Sequence, residues 1–268
     1  MPKRWLLWPA LLLLLLASAS ACGSSEEHGR GLYIALGDSI SFGRGADDPS
    51  SDAFVPRVHR YLGSGFLLLN IAHSGDTSAQ IRNNGQLDRA LTEIRTRNGD
   101  SDPDNDVRYI TLTVGGNDLL QLFFNLVLTG RCTALTDALN RADCRDPLVA
   151  AIAAMRENVG VILSSLRQAG PSVKIIMVTL YDPLANALPS GVDLAEMALE
   201  GRANTPFADG ANDVLRQAAA ANGVLIAEVH TSFFGRADDL IAADHIHPNN
   251  EGHKLIADAV IDAIKKAS

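Results

Sequence analysis

Ser39, Asp244 and His247 are the residues of this chain whose types and spacing could do acyl-transfer chemistry. Ser39 stands in Gly37-Asp38-Ser39-Ile40, and the other two in Asp244-His245-Ile246-His247-Pro248, near the far end. A serine hydroxyl attacks an ester carbonyl only if a base takes its proton and donors stabilise the developing oxyanion. His247 can be that base. Asp244, three residues earlier, can reach the ring across one tight turn, fixing its tautomer and stabilising the imidazolium. The candidate oxyanion donors are the Ser39 N–H, the Gly75 N–H and the side-chain amide of Asn117 in Gly115-Gly116-Asn117-Asp118. A lone Asp-Ser would be read as a helix cap. The rest of the set argues for chemistry.

Such residues matter only if the fold gathers them. Tyr33 to Leu36 is a short apolar run ended by Gly37, and four further runs read as buried strands: 66–71, 107–114, 173–180 and 224–229. Helical patterns alternate with them, over 52–62, up to about Arg97, over 208–221 and over 250–266. The clearest has Leu148, Ile152, Met155, Val159, Ile162 and Leu166 on one stripe. Asp146 and Pro147 predict its start and Gly170-Pro171 its end. This alternation implies a mostly parallel sheet with helices on both faces, without internal repeats. Ser39, Gly75, Asn117 and the Asp244–His247 pair then follow the carboxyl ends of four different strands, where open α/β sheets carry their ligands.

Taken in order, these blocks resemble the GDSL, or SGNH, hydrolase family of serine esterases and lipases. Gly37-Asp38-Ser39-Ile40 matches its first block with Ile in place of Leu, and Gly75 matches the second-block glycine. Gly115-Gly116-Asn117-Asp118 matches the third and Asp244-x-x-His247 the last. The resemblance spans nearly everything from Gly31 onward. It implies a three-layer α/β/α sandwich around a five-stranded, mostly parallel, flavodoxin-like sheet, a triad of Ser39, His247 and Asp244, and no cofactor. The Gly-x-Ser-x-Gly elbow of α/β-hydrolases is absent, which separates this chain from that fold.

Other patterns carry less. Gly43-x-Gly45 lacks the third glycine of a dinucleotide site. A metal cluster of Asp244, His245, His247 and His253 is set aside because the triad uses two of them, and His253 reads as a surface or interface residue. Asp118 is expected to hold its loop, and His73 to line the pocket or support it. Glu200 and Asp182 have no assigned chemistry.

The amino terminus has the layout of a secretory signal: Lys3 and Arg4, an apolar run to Leu16, then small residues to Ala21. Ala19-Ser20-Ala21-Cys22 is similar to a bacterial lipoprotein signal, in which the cysteine is lipidated. The expected organisation is a signal peptide over 1–21, an anchor and tether over 22–30, and one hydrolase domain over 31–268. The mature protein would be exported and face the periplasm or cell exterior, membrane-anchored through Cys22; the alternative is a soluble secreted or periplasmic form. Of 23 basic and 31 acidic residues, net −8, cleavage removes Lys3 and Arg4 and leaves −10. That balance, without a basic block, argues against a nucleic-acid partner. Cys132 and Cys144 can form a disulfide in an exported protein.

The expected activity is hydrolysis of a carboxylic ester: an acyl ester, lysophospholipid or thioester. A glycan O-deacetylase would use the same residues, and a non-catalytic surface lipoprotein on this scaffold is the reading from another class. The two long connections, 119–146 and 182–204, are expected to set specificity, with Leu119 to Phe124 able to line an acyl site.

Overall fold

A computed structural model describes residues 29–132, 135–183 and 194–267. The expected signal peptide, Cys22 and most of the tether lie outside those residues, as does part of the 182–204 connection. Five strands form one sheet: β1 (Gly31–Gly37), β2 (Phe66–Asn70), β3 (Val107–Thr113), β4 (Lys174–Val178) and β5 (Leu225–Ala227). All four pairings are parallel and the order is β2-β1-β3-β4-β5. The strand order reverses between β1 and β3, the place where a doubly wound sheet opens a crevice beyond its carboxyl ends. Gly37 pairs with Thr113 at the last register position of these strands. The segments that follow, carrying Ser39 and Asn117, therefore leave the sheet side by side.

The strands are joined by α1 (Ser39–Phe42), α2 (Phe54–Leu62), α3 (Ser78–Asn83), α4 (Gln86–Arg97), α5 (Gly116–Leu128), α6 (Leu135–Asn140), α7 (Ala142–Ala169), α8 (Leu194–Glu200), α9 (Ala211–Asn222), α10 (His230–Phe233), α11 (Ala237–Leu240) and α12 (Asn250–Lys266). Side-chain alternation along β1 feeds two apolar clusters. Leu32, Ile34 and Leu36 join one with Met155, Val159 and Ile162 of α7. Tyr33 and Ala35 join the other with Phe54 and Val58 of α2 and Ile256 and Val260 of α12. Burying each such aliphatic side chain is worth about 2 kcal/mol, as an upper bound.

Three elements differ from the sequence pattern. The long helix starts at Ala142, so Pro147 lies inside it rather than at its first position. The turn before the proline is secured by Cys144 N–H and Arg145 N–H donating to Arg141 O. Pro147 then leaves only the carbonyl of exposed Asp143 without a helical donor. Much of the connection from Leu119 is helical as α5 and α6; its run is apolar on several faces, which hides the period. β5 is shorter than its apolar run because the Val229 N–H donates to Thr179 Oγ1 instead of continuing the ladder.

Candidate active site

The nucleophile candidate sits on a turn fixed from beneath. Gly37 has φ +136°, and a Cβ there would strike Thr113, so only glycine lets the chain turn against β3. Asp38 caps α1: its Oδ1 accepts from Ile40 N–H at 3.0 Å and from Thr113 Oγ1 at 2.8 Å. Burial, only partly offset by those two bonds and by the charge of His247, pushes the Asp38 carboxyl above its ordinary range. Ser39 is itself buried, with its carbonyl accepting from the N–H groups of Gly43 and Arg44.

The Asp244–His247 turn meets it. Ser39 Oγ lies 2.9 Å from His247 Nε2, and His247 Nδ1 lies 2.6 Å from Asp244 Oδ2. Asp244 Oδ1 also accepts from the N–H groups of Ile246 and His247, at 3.0 and 2.9 Å. Burial works against the carboxylate, but these three bonds hold the Asp244 pKa down to about 2. A carboxylate on Nδ1 leaves Nε2 as the acceptor for the serine proton. His245 adopts φ +58°, a left-handed conformation that histidine tolerates better than most residues. Its work here is conformational, and among the described residues no group of three or more His, Cys, Asp and Glu side chains could hold a metal ion. Tyr181 secures the turn by donating to Ile246 O at 2.8 Å while its ring stacks on Phe233.

The loop after β2 is tied to both neighbours. Gln86 is the hub: it accepts from Gly37 N–H and donates to Gly37 O and to Asp76 Oδ2, all within 2.9 Å. Asn117 Nδ2 donates to Asp76 O at 3.0 Å, leaving its second amide hydrogen for another acceptor. Gly75 has φ +93°, and a Cβ there would meet nothing within 4 Å. Its glycine is thus explained by backbone conformation rather than by crowding. Gly115, at φ +104°, differs: a Cβ would press on Met155 of α7. Asp118 accepts from the Ser78 N–H and hydroxyl, at 2.8 and 2.6 Å, and so joins its loop to the start of α3.

A cleft opens beside Ser39, walled by Leu119, Leu120 and Phe123 of α5, Leu148 of α7, and Ala198 and Leu199 of α8. Phe124 faces away and is exposed. The disulfide Cys132–Cys144 closes a separation of 12 residues and ties the end of α5 to the first turn of α7. α8 is docked by polar contacts and one arginine ion pair. His230 Nε2 lies 2.9 Å from Glu196 and Nδ1 3.3 Å from Glu200. Burial opposes ionisation of Glu200, but Arg216 at 2.8 Å and Asn212 at 2.6 Å outweigh it and lower its pKa. Asn212 also brackets Leu180, donating to its carbonyl and accepting from its N–H. Glu200 therefore belongs to the support of the cleft wall.

His253 is not the surface or interface residue that the sequence suggested: it is fully buried. The helical stripe of α12 runs Ile256, Val260 and Ile264, and His253 continues it one turn earlier. That spacing was the available signal. His73 is exposed, 3.5 Å from Asp76 Oδ2, and does not line the cleft. Gln86, Thr113, Tyr181 and Asn212 went unnoticed in the sequence because each acts through a contact distant along the chain.

The arrangement is that of a serine hydrolase: a hydroxyl, an imidazole and a carboxylate in one hydrogen-bonded line at the switch point of a parallel sheet. Residues 35–255 match the model of the GDSL-like Lipase/Acylhydrolase family. The chain belongs to that family and is an ester-hydrolysing serine hydrolase. It is 25% identical to the uncharacterized protein YpmR of Bacillus subtilis (strain 168), over 96% of this chain and 94% of that one. The fold is shared with the lipase Lip_vut3 from a goat rumen metagenome (TM-score 0.62, 22% identity, 87% of this chain and 96% of that one). It is shared also with phospholipase A1 from Streptomyces albidoflavus NA297 (TM-score 0.61, 19% identity, 88% and 100%).

Proposed function

We propose that this protein is an extracytoplasmic carboxylesterase that works through Ser39, His247 and Asp244. The observation that carries the reading is the continuous line from Asp244 Oδ2 through His247 to Ser39 Oγ, with contacts of 2.6 and 2.9 Å. Ser39 Oγ bonds to the ester carbonyl carbon as its proton passes to Nε2. The oxyanion is held by the N–H groups of Ser39 and Gly75 and by the second amide hydrogen of Asn117. Collapse transfers that proton to the departing alcohol. Water, deprotonated by the same imidazole, then releases the acid from the acyl-enzyme.

The acyl group lies in the cleft between α5 and α8. Its apolar lining supports a fatty acyl ester, such as a lysophospholipid or thioester, over the acetyl group of a glycan O-deacetylase, which would leave most of that surface unused. The full set of chemical groups speaks against a purely binding role. The two apolar clusters support the three-layer α/β/α arrangement that goes with this class. Export and lipidation at Cys22 rest on the amino-terminal pattern, with the disulfide as a supporting sign of an oxidising compartment.

A panel of esters from acetyl to long-chain, with acetylated sugars included, tests the activity. Turnover of the acyl esters that Ser39→Ala abolishes is expected; turnover confined to acetylated sugars would favour the deacetylase. Cys22→Ser should move the protein from the membrane to the soluble fraction of the exporting cell. An unchanged partition would overturn the anchor.

A further inference from the structure

The buried imidazole of His253 lies outside the line of reacting groups, yet it joins three segments that meet behind it. Its Nε2 is 2.8 Å from Arg44 O, and a carbonyl can only accept, so Nε2 carries the hydrogen. Its Nδ1 accepts from Phe54 N–H at 3.4 Å, one of the free donors at the start of α2, where Ala53 offers no side-chain cap. The Phe54 contact needs the neutral ring, whereas the Arg44 contact would survive protonation. Burial, with the charges of Arg57 and His247 adding to it and the Arg44 bond opposing, lowers its pKa to about 4.

The carbonyl that His253 holds belongs to a turn in contact with the base. Gly45, next to Arg44, has φ +87°, and a Cβ there would lie 2.9 Å from His247 Cβ and would overlap Pro248 O. Asn250, one turn before His253 on α12, pins the same segment by accepting from Asp47 N–H at 2.9 Å and donating to Asp47 Oδ2 at 2.8 Å. Arg44 N–H, in turn, donates to Ser39 O at 2.9 Å. One short segment therefore touches the nucleophile's backbone, the base's Cβ and the buried imidazole.

We propose that His253 is a positioning residue for His247, which it backs through the Arg44–Gly45 turn. This rests on the reading of His247 as the base. A donor at position 253 keeps the turn pressed against His247 and Pro248, and the ring of His247 stays in line between Asp244 and Ser39. Losing the donor lets the turn withdraw, so the base is misplaced while the cleft is untouched.

The test compares His253→Leu with His253→Gln, whose amide can still donate to Arg44 O. A medium-chain p-nitrophenyl ester gives kcat and KM, and an alkyl phosphonate gives the rate of Ser39 modification. For folded protein, His253→Leu should lower kcat and the phosphonylation rate together by roughly 10–100-fold at unchanged KM, and His253→Gln should recover most of it. Wild-type kcat in His253→Leu, an effect confined to KM, or equal damage in both variants would overturn the proposal. Should His253→Leu not fold, Gly45→Ala presses on the same contact from outside the core; it should lower kcat at constant KM, and wild-type kcat there overturns the proposal as well. His247→Ala is measured alongside. If it retains turnover, the base assignment fails; if it is inactive while His253→Leu is normal, only the positioning role does.

Discussion

The two sides of the cleft are held by different forces. On the Ser39 side, Gly37, Asp38, Thr113 and Gln86 are locked by buried hydrogen bonds between residues 49 to 75 positions apart. On the other side, α5 and α8 hang on a disulfide, an ion-pair cluster and apolar packing. Buried hydrogen bonds fix angles and tolerate almost no substitution, because an unpaired partner costs about 1–3 kcal/mol. Packed helices tolerate change in volume if the total is kept. One side should therefore control rate and the other choice of ester, and mutations can separate them.

The sharpest separation comes from Ser39→Ala. Removing the nucleophile of a triad acts on the scale of roughly 10⁶-fold in kcat. The variant should fold and bind ester as before, since the hydrogen bond shown for Ser39 Oγ among the described residues is the one to His247. Wild-type turnover by well-folded protein would end the serine mechanism. Asn117→Ala should be milder, roughly 10²–10³-fold in kcat with KM little changed, because two backbone donors remain. It also frees Asp76 O, so a melting curve must accompany the kinetics. A loss seen only in KM would remove Asn117 from the oxyanion site.

On the opposite wall the expected outcome changes kind. Replacing Cys132 and Cys144 by serine removes the staple between α5 and α7, at a cost of about 3 kcal/mol on the chain-entropy account. The ratio of long-chain to acetyl ester turnover should shift by several-fold, while acetyl ester turnover itself changes less. If both esters fall in step, the wall is not independent of the chemistry, and the comparison between the two sides collapses.

That contrast also explains what could be read from the chain alone. The Asp244–His247 pair was legible because its geometry is local: three residues and one turn. The strands and the α7 stripe were legible because a period of apolar residues reports burial. Gln86 was not, since nothing in its neighbourhood distinguishes a buried hub from a surface glutamine at a helix start. Glu200 and Asn212 are 12 residues apart on separate helices, and only the fold brings them together. Pro147 misled because a disulfide and backbone bonds to Arg141 support a turn that proline would otherwise begin.

Acid stability divides the site in another way, down to the smallest expected effect. His253 has a folded pKa of about 4 against an ordinary value near 6.5. Between those values the unfolded chain binds more protons, so stability falls as pH drops through this window, by about 3 kcal/mol in all. Asp244 has a folded pKa of about 2, below its ordinary 3.8. Its contribution is present above pH 4 and is lost as pH falls from there toward 2. Because the Asp244 side chain is 47% exposed, solvent screening leaves it only a few tenths of a kcal/mol. Asp38, pushed upward by burial, favours the folded state in acid and works the other way, so only differences between variant and wild type isolate each group. Urea midpoints from pH 7 to pH 3 provide them. His253→Gln should flatten the decline between about pH 6.5 and 4, and Asp244→Asn should lie a few tenths of a kcal/mol below wild type above about pH 4, with the gap narrowing as pH falls toward 3. A His253→Gln curve parallel to wild type through the upper window would mean that the buried imidazole is not the group that charges there. An Asp244→Asn gap of several kcal/mol at pH 7 would mean that its carboxylate supports the fold through the His247 turn, well beyond its own titration.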